Sequence, residues 1–230
     1  MNPRTLARIG GLLYLIIIGI GLYGEMFVRD KLIVSGDAIA TAANIRAHET
    51  LWRVHVANEL ILLICAIVLL GIVFILLRPV SEALMWLAVF FNLVSISIEA
   101  MTAMSLIETV FPLGKDAFLT AFSPPQLAAL ARLSVRSHGY GFGVALIFFG
   151  CFCLIVGSLI FKSGYMPKTI GVLMEIAGVC YLINSFALII SPALSDQLYP
   201  AILLPPFVGE LSFALWLLVK GVRLEAWPKP

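Results

Sequence analysis

The chain is predicted to be all-α: a polytopic membrane protein with six transmembrane helices in a bundle and two long outer loops carrying short helices. Three observations lead there. Hydrophobic residues make up 61% of 230 positions and charged residues 12%, against about 25% charged in a soluble domain. Mean hydropathy is +1.06. Six apolar stretches each approach the ~20 residues that cross a hydrocarbon core of about 30 Å. One transmembrane domain over 1–230 is expected, with spans at 6–27, 58–77, 83–107, 139–161, 169–190 and 199–219.

The first stretch follows Arg4 and Arg8, as a signal peptide would. Its apolar run is long for a signal peptide and no small-residue cleavage site follows, so an uncleaved helix is expected. Gly19, Gly21 and Gly24 match a dinucleotide-binding glycine pattern by letters. They follow no strand, and small residues that let membrane helices approach closely explain them better. The second stretch is uncharged from Leu60 to Leu77. The third contains Glu99, the fourth is uncharged, the fifth contains Glu175 and the sixth Glu210. Pro205-Pro206 interrupts the sixth, leaving two alternatives: a kinked helix, or a broken one with a fresh N-terminus and Glu210 in its first turn.

The two long loops carry helix signals of their own. Ser123-Pro124-Pro125 is a helix start, predicting a short interfacial helix through Leu127, Leu130 and Ala131. Asp37 opens an alanine-rich segment predicted to run unbroken from Ala38 into the second span.

Lys and Arg favour the flanks on the N-terminal side: Arg4, Arg8, Arg78, Lys162, Lys168, Lys220, Arg223 and Lys229. The other side spreads its basic residues over much longer loops. By the positive-inside rule, a bacterial cytoplasmic (inner) membrane location with both termini cytoplasmic is expected. The net charge of +2 excludes a dense nucleic-acid-binding face, so the lipid bilayer is the partner. Cys65, Cys151, Cys153 and Cys180 all lie in apolar segments and read as small packing residues.

Several segments resemble a known family: Ala7-Arg8-Ile9-Gly10-Gly11-Leu12-Leu13-Tyr14-Leu15, Gly36-Asp37-Ala38, Ala42-Ala43-Asn44-Ile45 and Phe149-Gly150-Cys151. So do Ser163-Gly164-Tyr165-Met166-Pro167-Lys168 leading into Gly171, Gly209-Glu210-Leu211, and Leu215-Trp216-Leu217-Leu218-Val219-Lys220-Gly221. Together they resemble the bacterial membrane proteins grouped as domain of unknown function 4386, across essentially the whole chain. The resemblance implies a six-helix bacterial membrane protein and carries no established activity.

Function must be sought in polar groups within apolar runs, since a carboxylate in hydrocarbon is costly and usually has a reason. Glu25, Glu59, Glu99 and Glu210 fall in the outer half of the bilayer under the expected orientation. His48, Trp52, His55 and Glu59 are spaced four, three and four apart, which places them on one face of a continuous helix. Arg53 lies on a neighbouring stripe, and Arg136 and His138 stand at the outer start of the fourth span. Trp52 is expected as an interfacial anchor. Glu25, His48, Arg53, His55, Glu59, Glu99 and Glu210 are thus the candidate lining of an outward-facing polar pocket that binds or moves a small molecule, lipid or ion.

The plain reading stands beside this one: boundary residues such as Glu25, Glu59 and His138 reach headgroup water, and the deeper glutamates pack helices. Two alternatives follow. One is a metal-dependent membrane enzyme using His48, His55 and Glu59, the other a structural or accessory subunit with no ligand. No HExxH, CxxC pair, GxSxG elbow or paired-aspartate motif is present, so no catalytic residue, metal or cofactor is assigned.

Overall fold

The computed structural model describes residues 2–227, and Lys229, counted above among the inner flank, lies outside the described residues. Among the described residues the secondary structure is helical throughout, with six helical segments long and apolar enough to cross a membrane. Eight helices carry labels below: α1 (Pro3–Tyr23), α2 (Ala38–Ala47), α3 (Glu49–Leu77), α4 (Glu82–Glu108), α5 (Pro124–Ser163), α6 (Lys168–Ile190), α7 (Pro192–Leu198) and α8 (Leu204–Val219). The chain divides into two compact units. The first comprises Met1–Ile18, Ile64–Ser97 and Gly143–Pro230, the second Gly19–Leu63 and Ile98–Phe142.

In the first unit, small residues bring backbones together. A Cβ on Gly11 would lie 2.7 Å from the Ala214 carbonyl oxygen, which brings α1 and α8 into direct backbone contact. Helices α5 and α6 share a heptad-spaced glycine seam. A Cβ on Gly171 would lie 2.7 Å from the Gly157 carbonyl, and one on Gly178 equally close to that of Gly150. Lipid supplies no hydrophobic drive between helices, so close van der Waals packing of this kind holds them. Polar pins supplement it: the Ser95 hydroxyl donates to the Ala145 carbonyl at 2.9 Å, and the Tyr165 hydroxyl to the Leu76 carbonyl at 2.6 Å. The four cysteines are free thiols.

The second unit has an apolar core that includes Val28, Ile45, Trp52, Val56, Leu106 and Val135. Asp37 begins α2 as its side chain accepts from the Ala40 N–H at 2.8 Å, satisfying an orphan donor of the first turn. Gly36 makes the preceding turn with φ +76°, a left-handed conformation that side chains with a Cβ rarely adopt.

Five expectations change. Helix α2 does not run into the second span: His48 has φ −121° and ψ 34°, and ends it one residue before α3 begins. The interfacial helix at Pro124 is not separate from the fourth span. Both belong to the forty residues of α5, about 60 Å of helix at 1.5 Å per residue. Gln126 starts it by accepting from the Ser123 N–H at 2.8 Å, the return half of a capping box. The first span continues past Phe27 through a π-helical stretch, Gly24–Arg29, to Leu32. The sixth span is a fresh helix: α8 starts at Leu204 with its prolines in the first turn, where their missing N–H groups cost nothing. Glu210 is its seventh residue and so lies beyond the first turn. Trp52 is fully buried and donates to the Leu106 carbonyl at 2.8 Å, which makes it a core pin and not an interfacial anchor.

Candidate functional site

The second unit gathers a polar cluster from four helical segments. Its base is the π-helical stretch after α1. The wider π turn shifts the phase of the side chains that follow, and such insertions recur at functional sites. Here it places Glu25 and Arg29 one turn apart as an ion pair. Gly24 is buried because α3 approaches it: a Cβ there would lie 2.8 Å from His55 Nδ1 and 3.3 Å from Glu59 Oε1. A side chain at this position would displace the histidine.

Arg29 organises the cluster. One terminal nitrogen pairs with Glu25 and the other lies 2.6 Å from His138 Nε2. A guanidinium has no acceptor, so His138 Nε2 must accept and its proton must sit on Nδ1. That nitrogen faces the Thr102 carbonyl at 3.2 Å and donates to it. The chain Glu25–Arg29–His138–Thr102 thus fixes one tautomer of a histidine that is only 5% exposed.

His55 and Glu59 complete the group from α3. His55 is 1% exposed, and its Nδ1 is 3.8 Å from Glu59 Oε1, too far for a hydrogen bond. Glu59 lies within electrostatic range of Arg29 and Glu25, and His55 of Arg29 and His138. Trp52 meets the His55 ring edge-on, with centroids 6.0 Å apart. Two buried polar atoms of this cluster, Arg29 Nε and His55 Nε2, have no hydrogen-bond partner among the described residues. An unmade bond at a buried donor or acceptor costs about 1–3 kcal/mol.

The sequence-expected lining divides. Glu25, His55 and Glu59 come together. Arg53 is exposed and pairs with Glu49 at 2.8 Å. Glu99 is half-buried on α4 in the same unit. His48 is exposed, its ring nitrogen turned to the Asn44 carbonyl at 3.0 Å. His48 thus stands apart from the buried His55 and Glu59, and the three residues of the metal-enzyme alternative do not come together. Among the described residues no group of three or more His, Cys, Asp or Glu side chains could hold a metal ion. Glu210 belongs to the first unit, where it accepts from Tyr14 Oη at 2.9 Å and from Tyr181.

Sequence reasoning missed Arg29, the centre of the cluster, and Thr102. Arg29 fell just past the expected end of the first span, although its place four residues after Glu25 was a usable signal. Beside the cluster, Trp52, Val56, Leu60, Ile107 and Val110 line an apolar hollow of about 240 Å³ with Arg53 among its walls. Trp52 belongs to both.

The model of the family described as Domain of unknown function (DUF4386) matches residues 9–221. An uncharacterised protein of Archaeoglobus fulgidus is 34% identical over 152 residues, covering 66% of this chain and 74% of that protein. No solved structure matches.

Proposed function

The chain belongs to the family of domain of unknown function DUF4386 and is a multi-pass membrane protein by its own six apolar helices, and from that premise we propose that its second unit binds a small polar ligand whose oxygens accept from Arg29 Nε and pair, as acceptor or donor, with His55 Nε2. The observation that carries this reading is the pair of unpartnered atoms, Arg29 Nε and His55 Nε2, within one buried cluster. In a protein surrounded by lipid no bulk water offsets such a loss, so a bound polar ligand is the economical partner. Glu25 already neutralises Arg29 and Glu59 stands close by. That charge balance favours a neutral or zwitterionic ligand over a simple anion. The site faces the outer side, in a bacterial inner membrane with cytoplasmic termini, under the orientation that the basic flanks support.

The test is native mass spectrometry of purified protein with small-molecule and lipid extraction, comparing wild type with Arg29→Gln and His55→Phe. A species retained by wild type and lost at least tenfold from both variants is expected. Equal retention by all three, or nothing retained by any, would remove the reading.

A further inference from the structure

Glu210, in the first unit, answers a different question and does not depend on the ligand reading above. Glu210, on α8, is held by two phenols from two other helices. Tyr14 of α1 donates to Oε2 at 2.9 Å and Tyr181 of α6 donates to Oε1. Each carboxylate oxygen thus has its own neutral donor. Among the described residues no cationic side chain lies within ion-pair distance of it. The titratable groups that face it are Tyr14, Tyr181 and Cys153 of α5, and α8 itself contributes no other. The surrounding walls are apolar: Phe213 packs edge-on against Tyr14 at 6.1 Å, and Phe149 against Tyr181 at 5.5 Å.

A carboxyl group within membrane-spanning helices and without a cationic neighbour is neutralised by a bound proton or by a mobile cation. The clamp is built to accept the smallest one. When Glu210 is ionised, both phenols donate to it. When a proton binds one carboxylate oxygen, that oxygen becomes a donor and the facing phenol oxygen accepts. The heavy atoms keep their places, and one inter-helix hydrogen bond reverses direction while the other stays. Both inter-helix hydrogen bonds persist in either state, and the phenol that turns acceptor leaves its own O–H to turn to another acceptor, so the proton can come and go without parting the helices. A metal cation would instead need about six oxygen ligands, and one carboxylate with two phenols falls short of that.

We propose that Glu210, clamped by the hydroxyls of Tyr14 and Tyr181, is a reversible proton-binding site within the membrane-spanning helices. The test is infrared difference spectroscopy of the full chain in lipid nanodiscs, titrated from alkaline to acid pH. The expected result is a carboxylic-acid carbonyl band that appears on acidification, is lost in Glu210→Gln, and shifts in both Tyr14→Phe and Tyr181→Phe. A band that persists in Glu210→Gln, or never changes with pH, overturns the proposal. So does a signal from Glu210 that follows sodium at fixed pH and ignores protons. Should Glu210→Gln fail to fold, the two phenylalanine variants decide: they keep the carboxylate, and an unmoved band in both counts against the site.

Discussion

Tyr165 shows at the scale of one residue how this chain ties its ends. It lies between α5 and α6, outside the spans, and is 1% exposed. Its hydroxyl serves the Leu76 carbonyl at the end of α3, a position where a helix leaves carbonyls unpaired, and its own carbonyl accepts from the Arg223 N–H at 3.2 Å. Burial pushes the phenol up from its ordinary value. A group raised in the folded state stabilises fully below its unfolded pKa, here about 10, and that contribution is lost as pH climbs beyond it. Tyr165→Phe should therefore lose about 1 kcal/mol near neutrality, and the gap between variant and wild type should narrow above pH ~10. Thermal unfolding in detergent at a series of pH values checks this: no gap near neutrality would mean the hydroxyl bond contributes nothing, and a gap that does not narrow at high pH would mean its ionisation does not govern it. Single residues also mark where reading from sequence stops. Glu210 was legible as an oddity, but Tyr14 is 196 positions away, and no spacing argument reaches a partner that only tertiary packing supplies. Arg29 was missed for a different reason: the π turn that extends the first helix leaves no periodic trace, and its spacing from Glu25 was the one signal passed over.

Among the elements, hydropathy made the six spans legible because lipid demands long unbroken apolar runs. Continuity at their ends was not legible. His48 and Pro124 both stand in segments of mixed polarity, where helix and break differ by less than tertiary contacts supply. One break separates α2 from α3, and one expected junction is absent inside α5. The glycine seam of α5 and α6 is an element-scale device with a sharp expectation. Backbone carbonyls leave no room for a Cβ at Gly157, Gly171 or Gly178, so Gly171→Ala should destabilise the protein by about 1–3 kcal/mol through overpacking. Gly71 of α3 provides the contrast, because nothing lies within 4 Å of a Cβ built there. Gly71→Ala should be neutral or stabilise by up to about 1 kcal/mol from helix propensity. Unfolding midpoints of the two variants in the same detergent decide it; equal effects would show that the seam does not hold the helices.

Over the whole molecule, the exposed apolar surface is itself an argument about surroundings. Ile64, Phe90, Met101 and Ile190 are 63%, 59%, 71% and 78% exposed on helix faces. Such a spread of large apolar side chains is stable only against lipid. The proposed orientation, with six crossings and both ends cytoplasmic, rests on the basic flanks and can be tested. Two exposed residues discriminate. Lys115 lies in the long connection between α4 and α5, and Glu82 starts α4 after a short turn. On intact cells a membrane-impermeant maleimide should label Lys115→Cys and leave Glu82→Cys untouched until the membrane is opened. Wild type supplies the background from its four native thiols, which sit inside the helices. Reversed labelling would place the cluster of Arg29, His55 and His138 toward the cytoplasm. The proposed ligand would then come from the cell interior, although the hydrogen-bond argument for binding it would be unchanged.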